Sequence, residues 1–229
     1  MYYILLHFSK TPCNIFSVVV LIGNRIRKFS ERNVVMVEIK PKIELKSKGE
    51  SVNLPTVEAL KVTLGWSSSV DLDLMAFYER KDGGAAGGVY SDQISGDAAS
   101  LGNLNAFPFI ELSGDAGVGK AAEGEETEEM KIVNLNEISK LYIVALNYTG
   151  AKAKDATASF SSYNGHVGIV DEKGNNFDVP LGAIDKGTVA HVATIDNSGA
   201  IGATLKREDT VYSFGEFVEK IPGAAVLTK

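Results

Sequence analysis

The residues of this chain with the clearest chemical potential are carboxylates that stand close together in the sequence. Asp71 and Asp73 are separated by one residue in an apolar segment, and Asp92 and Asp115 follow in two glycine-rich segments. Carboxylates held near one another repel unless a cation neutralises them, and oxygen ligands of this kind suit Ca²⁺. The sequence therefore raises the hypothesis of a calcium site. A group of glutamates after Asp115 extends it: Glu123, Glu125, Glu126, Glu128 and Glu129.

The spacing of these carboxylates does not match the calcium loop of an EF-hand. Met75 stands where a third ligand would follow Asp71 and Asp73. The alternative interpretation is an acidic loop that water solvates, which describes most runs of like charge. The spacing alone leaves both interpretations open.

Residues 114–120 (Gly-Asp-Ala-Gly-Val-Gly-Lys) come close to a phosphate-binding loop. They fit the pattern G-x-x-x-x-G-K, but Ala121 stands where a Ser or Thr would bind Mg²⁺. Such a loop opens a helix whose N-terminus faces the phosphates. Here the glutamate group follows instead, and its negative charge would repel a triphosphate. We therefore do not expect this segment to bind a nucleotide.

The sequence offers little material for catalysis. His166 stands in a predicted turn and His191 in a predicted strand, and no serine lies in the G-x-S-x-G pattern of a hydrolase nucleophile. Cys13 is the single cysteine, which excludes a disulfide framework or a zinc site built from several cysteines within one chain. We expect a protein that is not an enzyme.

Composition narrows the class of protein further. The 229 residues are 45% hydrophobic and 23% charged, which is typical of a globular protein rather than a disordered or fibrous one. The net charge of −6 at pH 7 argues against a general nucleic-acid binder, because such proteins carry basic surfaces that neutralise phosphates. We expect a globular protein without a nucleic-acid partner.

Side-chain alternation with a period of two predicts that β-strands position the carboxylates. In residues 70–78, Leu72 and Leu74 alternate with Asp71 and Asp73, which places the two aspartates together on a polar face. The strand predicted over residues 37–45 contains Pro41, which confines it to an edge or a bulge. Further strands are predicted in residues 60–66, 107–112, 130–135, 141–148, 158–163, 167–171, 177–180, 189–195, 200–205 and 210–214.

Turn residues separate these strands, and a single short helix is predicted near the C-terminus, in residues 215–221. Many short strands with almost no amphipathic helix are typical of antiparallel β proteins. We therefore predict an all-β fold, an antiparallel β-sandwich with long acidic loops and a short C-terminal helix.

The first 35 residues differ in charge from the remainder. They carry +4, which leaves −10 for the rest of the chain. Their apolar run, residues 15–22, is shorter than the roughly 20 residues of a membrane-spanning helix, and the basic residues follow it rather than precede it as in a signal peptide. We expect residues 1–35 to be an N-terminal extension, non-native or disordered, with translation starting at Met36 and residues 36–229 forming the domain. A short amphipathic or signal-anchor segment is the alternative.

Several motifs together resemble the tellurium-resistance (TerD-type) family of bacterial stress proteins. The order Gly-Trp, then Asp-Leu-Asp, then Ala-Phe is the most specific part, and the resemblance spans roughly residues 36–199. Strands follow at residues 130–135 and 141–146. The motifs are Val62-Thr-Leu-Gly-Trp66, Asp71-Leu-Asp-Leu-Met-Ala-Phe77, Ser91-Asp92, Ser113-Gly-Asp115 and Gly124-Glu-Glu-Thr-Glu-Glu129.

The resemblance implies a cytoplasmic β-sandwich that binds Ca²⁺ in acidic loops. It implies a role in resistance to tellurite and other chemical stresses, without catalysis of a defined reaction. The implied partners are other proteins of a stress-resistance complex, some of them membrane-associated. By position, the resemblance carries the calcium ligands over to Asp71, Asp73, Asp92, Asp115, Glu125, Glu126, Glu128 and Glu129.

The chain departs from the family's pattern in its loops. Ala116 replaces an Asn after Asp115, which removes one oxygen ligand. Residues 124–129 carry glutamates where the family has Gly-Asp-Gly-Asp-Asp-Glu, and the stretch between Trp66 and Asp71 is short. We expect the scaffold to be kept and calcium binding to be weakened. The alternative is a metal-free β-sandwich, a scaffold or interaction module whose acidic face contacts a partner protein.

Overall fold

The structure is a computed structural model that divides into two compact units, Met1–Pro41 and Lys42–Lys229. It describes residues 3–7, 17–21, 35–38, 40–54, 59–113, 126–155 and 157–228. In the first unit, three antiparallel strands pair in the order second, first, third: β1 (Tyr3–His7), β2 (Ser17–Leu21) and β3 (Val35–Glu38). The proposed division of the chain after residue 35 stays a prediction.

The described part of the second unit consists mainly of strands. Their bounds are β4 (Lys42–Glu44), β5 (Ser51–Leu54), β6 (Leu60–Trp66), β7 (Leu72–Arg80), β8 (Gly87–Val89), β9 (Gly102–Asn103), β10 (Ile110–Leu112), β11 (Glu126–Ile132), β12 (Ile138–Asn147), β13 (His166–Asp171), β14 (Asn176–Pro180), β15 (Val189–Asp196) and β16 (Ala203–Tyr212). One sheet has seven strands in the order β4-β14-β13-β6-β11-β10-β9, and the other has six in the order β5-β16-β15-β12-β7-β8. The strand pairs are antiparallel except that β4 runs parallel to β14 at the sheet edge.

Apolar side chains at alternating positions fill the space between the two sheets. Val62, Leu64 and Trp66 of β6 share one buried cluster with Ile143 of β12 and Ile195 of β15, which belong to the other sheet. Burial of each such side chain contributes roughly 1.5–3 kcal/mol. The prediction of an antiparallel, mostly β fold with two layers is therefore confirmed in outline.

One predicted strand, in residues 158–163, is wrong. The structure has a short 3-10 helix there, Phe160–Ser162. The hydroxyl of Ser162 donates to the carbonyl of Ser159 at 2.7 Å, and this local bond favours a tight turn over a strand. The alternation of apolar residues in the sequence did not show that this side-chain bond would compete with strand pairing.

Two other predicted strands, in residues 200–205 and 210–214, are joined as the single strand β16. The residues between them include the charged Lys206, Arg207, Glu208 and Asp209. Arg207 nevertheless occupies a buried position, because its guanidinium donates to the carbonyl of Leu45 at 2.9 Å and pairs with Asp209 at 2.9 Å. A buried charge that is paired and hydrogen-bonded in this way is tolerated inside a strand.

The predicted C-terminal helix is present. Besides it, the described residues contain two short helices that the sequence did not predict, α1 (Asp92–Ser95) and α2 (Tyr148–Ala153). The C-terminal helix, α3 (Phe214–Lys220), begins one residue earlier than predicted, and Ser213 and Glu216 form a capping box at its start. Within the described part of the chain, no helix is long and apolar enough to cross a membrane.

Helix α3 covers the outer face of the six-stranded sheet. Phe217 is fully buried and its ring meets the ring of Phe77 edge-on, with centroids 5.3 Å apart. Met75 and Ile221 belong to the same apolar cluster. Strand β7 is therefore buried on both faces. Its alternating side chains enter two different apolar clusters, rather than one cluster on one face and water on the other.

Candidate metal site

The two aspartates lie at the beginning of β7, and their alternation with leucine is confirmed. Leu72 and Leu74 face the core between the sheets, whereas Asp73 lies on the opposite face, the one that carries Met75. The prediction that this face is polar is wrong, because it is covered and Asp73 is only 4% exposed. Asp71 immediately precedes the strand and is partly exposed.

The backbone of Asp71 is fixed by the first turn of α2. Its N–H donates to the hydroxyl of Thr149 at 3.0 Å, and its carbonyl accepts the N–H of Tyr148 at 2.9 Å. These two bonds connect the end of β12 to the beginning of β7. The position of the Asp71 backbone is thus set by residues that the sequence analysis did not single out.

Asn147 is a second residue that sequence reasoning missed. Its side-chain oxygen accepts the N–H of Gly150 at 2.8 Å and caps α2, while its amide nitrogen donates to the hydroxyl of Tyr163 at 2.7 Å. The signal that could have revealed it is the Asn-Tyr-Thr-Gly string, an N-cap pattern directly after an apolar strand. The cap holds α2 in place next to Asp71.

The glutamate group is divided between the two faces of β11. Glu126 and Glu128 are 9% and 2% exposed and share the inward face with Met130. Glu129 lies on the outward face, where its carboxylate pairs with the ammonium of Lys61. Strand β11 begins four residues before its predicted start. The alternation of inward and outward side chains continues from Met130 back to Glu126.

Glu128 connects the two sheets. Its Oε2 accepts the backbone N–H of Leu74 in β7 at 2.7 Å, in a buried environment. The neighbouring strand β8 pairs with β7 only from Ala76 to Tyr78. Within the described part of the chain, the first residues of β7, which include Leu74, therefore have no strand partner on the side of β8. The Glu128 carboxylate takes the place of a strand partner there, at the backbone of the residue that follows Asp73.

We expect replacement of Glu128 by Ala to lower the free energy of unfolding by about 1–3 kcal/mol, because the buried N–H of Leu74 would lose its acceptor. Glu129→Ala is the control and should cost about 0–1 kcal/mol, since it removes a surface ion pair. Urea denaturation of the two variants measures both values. Equal losses would contradict the role assigned to Glu128.

Asp92 begins α1, whose N-cap is the buried Ser91. Because β8 runs antiparallel to β7, the chain beyond Val89 heads towards the end of β7 that carries Asp73. The register therefore directs Asp92 to the same end of the sheet as Asp73, although the carboxylate of Asp92 is partly exposed.

The remaining predicted ligands, Asp115 and Glu125, lie outside the described residues, as does the glycine-rich segment 114–120. Among the residues that the structure describes, no group of three or more His, Cys, Asp or Glu is placed so that it could hold a metal ion. A cation bound near Asp73 and Glu128 would therefore need further oxygens, and residues 114–125, which directly precede β11, carry suitable ones.

Electrostatics make this end of the sandwich distinctive. Asp73, Glu126 and Glu128 are all at least nine-tenths buried, and they come from both sheets. Buried carboxylates require hydrogen bonds, ion pairs or a bound metal, and Glu128 has one such bond, to the N–H of Leu74. Hard carboxylate oxygens of this type fit Ca²⁺ better than a transition metal.

Comparisons with known proteins give distant likenesses. No protein-family model matches the chain, and no curated protein matches it. The unknown function protein SAV2460 is 14% identical with a TM-score of 0.48, over 70% of this chain and 94% of that one. A homologue of the telluride resistance protein (TerD), SCO6318 from Streptomyces coelicolor A3(2), is 16% identical with a TM-score of 0.47, over 69% of this chain and 92% of that one. With TM-scores below 0.5, neither likeness by itself assigns a fold or an activity.

Proposed function

We propose that this chain is a non-enzymatic, Ca²⁺-binding stress-response protein of the tellurium-resistance type. The observation that carries the proposal is the burial of Asp73, Glu126 and Glu128 at one end of the sandwich. Their order along the chain agrees with the motifs that resemble the TerD-type family. In this proposal the protein is cytoplasmic and acts with other proteins of a stress-resistance complex, some of them membrane-associated.

The residues have separate roles in the proposed site. In this proposal Asp73 supplies a carboxylate from the outer face of β7 and Glu126 supplies one from the inward face of β11, while Glu128 also holds the edge of β7 through Leu74. Asp71 immediately precedes β7 and is partly exposed, and its backbone is fixed by α2. Bound Ca²⁺ would neutralise these charges and join the two sheets. Asp92, Asp115 and Glu125 complete the proposed ligand set, whereas Glu129 pairs with Lys61 and stays outside it.

Thermal unfolding of the full chain in EDTA and in millimolar Ca²⁺ tests the proposal. A ligand that binds only the folded state stabilises it by about 2.7 kcal/mol at a hundred times its Kd. For a chain of this length the melting temperature should therefore rise by roughly 5–11 °C, at ~2–4 °C per kcal/mol.

A double variant and a matched control locate the binding site in that experiment. Asp73→Asn with Asp115→Asn should abolish the Ca²⁺ shift, while Glu129→Gln should keep it because that carboxylate faces Lys61. A double variant that keeps the full shift would show that the ligands are assigned wrongly. Absence of any shift in the wild-type protein, with Ca²⁺ and with Mg²⁺, would reject calcium binding.

A metal-free scaffold or interaction module is the second candidate. It is favoured by the absence of a complete ligand group among the described residues. In this case the carboxylates would contact a basic partner protein, and salt would screen the contact. Binding of such a partner in EDTA that weakens between 50 mM and 500 mM NaCl, together with a silent Ca²⁺ titration, would support it.

A further inference from the structure

The outer face of the six-stranded sheet carries a groove of about 720 Å³ beside the end of α3. Its floor is made of outward side chains from β12, β15 and β16. Lys220 and Pro222 complete the lining at α3, and Ser198 and Gly202 complete it at the turn between β15 and β16. The volume lies in the range of sites for small molecules, and none of these residues belongs to the metal site.

Residues that lie opposite one another on β12, β15 and β16 form rows across the floor of the groove. Lys140 of β12 lies opposite Asp196 of β15, and Asp196 lies opposite Thr204 of β16. The next row on the same face is Tyr142, Thr194 and Lys206. Each row thus combines hydrogen-bond donors with acceptors on a rigid sheet, which fixes the distances between them.

His191 extends the floor as a neutral polar group. It is buried, its Nε2 lies 3.0 Å from the hydroxyl of Thr194, and its ring meets the ring of Tyr142 edge-on at 5.6 Å. Burial lowers the pKa of His191 to about 4, so the imidazole carries no charge at neutral pH. Thr210 lies opposite it on β16 and adds another hydroxyl.

The charges that line the groove are balanced locally. Lys206 pairs with Glu208 at 3.0 Å, and Lys140 lies 4.0 Å from Glu79. Asp196 accepts the hydroxyl of Ser198 at 2.6 Å. A multiply charged phosphate would find Lys140 and Lys206 already paired and a carboxylate nearby, and an apolar ligand would remove the floor's polar groups from contact with water.

We infer that this groove binds a small uncharged polyhydroxylated molecule of the saccharide class. Each hydroxyl of such a molecule both donates and accepts, so it can replace water at the donors and acceptors of the rows without adding charge. The rim of Tyr212 and Pro222 offers apolar surface for the C–H face of a sugar ring. The inference is independent of calcium, because the groove shares no side chain with the metal site.

The test is a titration of the ¹⁵N-labelled full chain, followed by amide chemical shifts. Glucose, galactose, maltose and trehalose, each up to 50 mM, are the saccharide probes, and inorganic phosphate is the charged probe. We expect at least one saccharide to move the amides of β15 and β16 around Thr194 and Thr204 in a saturable manner. Phosphate should leave those amides unchanged.

Paired variants assign the effect to the groove. Thr204→Val with Thr210→Val should weaken saccharide binding about thirtyfold, because the double variant removes two hydroxyls that can bond to the ligand. Thr127→Val, on the exposed face of β11, should leave binding unchanged. The inference is overturned if no saccharide shifts the groove amides, if the double variant binds as tightly as wild type, or if phosphate shifts the same amides at lower concentration.

Discussion

Replacement of Phe217 by Ala is expected to lower the free energy of unfolding by about 3–5 kcal/mol, the usual cost of removing a fully buried phenyl ring. The ring is buried between α3 and β7 and meets Phe77 edge-on at 5.3 Å. The cavity left behind would be lined by Phe77 and Met75, which are held in a sheet and cannot collapse into it. For this chain the melting temperature should fall by roughly 6–20 °C, at ~2–4 °C per kcal/mol.

Phe214 provides the matched control within the same helix. It is 37% exposed, so Phe214→Ala should cost much less than Phe217→Ala. Calorimetry of both variants gives the comparison. If the two variants melt together, α3 does not anchor the outer core in solution.

The second large effect is a loss of stability in acid that depends on His191. Burial lowers its pKa from 6.5 to about 4, because the folded state disfavours the imidazolium. The unfolded state therefore binds a proton at a higher pH than the folded state does. Stability contributed by the neutral imidazole is full above pH 6.5 and declines as the pH falls towards 4, by about 3 kcal/mol in total.

Urea denaturation at pH 7.5, 6, 5 and 4 measures this decline. His191→Gln should remove most of the dependence of the free energy of unfolding on pH, since glutamine does not titrate. His166→Gln, at the partly exposed start of β13, should retain it. An unchanged slope in His191→Gln would show that the acid sensitivity does not come from His191.

The sequence predicted the elements whose pattern is local. Alternation gave the face of β7 that enters the core, because Leu72 and Leu74 are spaced by two residues. The capping residues Ser213 and Glu216 mark the start of α3 independently of the rest of the chain. The predicted helix consequently differs from the observed one by a single residue at each end.

The sequence could not predict what covers the second face of β7. The presence of Asp73 predicted a polar face. Met75 and Phe77 on that face instead contact α3, which follows about 140 residues later in the chain. The inward position of Glu128 was hidden for a similar reason, since it depends on the N–H of Leu74 in another sheet. Long-range contacts of this kind decide burial, whereas alternation decides only which residues share a face.

The site was predicted in part for the same physical reason. The alternation of Asp71 and Asp73 with leucine was predicted correctly but the burial of Asp73 was not, and the pairing of Glu129 with Lys61 was not foreseen because it needs the register of β11 against β6. Asn147 was missed because a capping role emerges only when a helix follows the strand. Metal ligation by each of the predicted residues remains a prediction.

The position of α3 in the chain has a consequence for synthesis on the ribosome. Phe77 is translated about 140 residues before Phe217, which at ~5–20 residues per second is a delay of roughly 7–30 s. During that interval the apolar outer face of β7 and β12 has no helix to cover it. The nascent chain therefore presents Met75 and Phe77 to water or to a chaperone until α3 emerges from the exit tunnel.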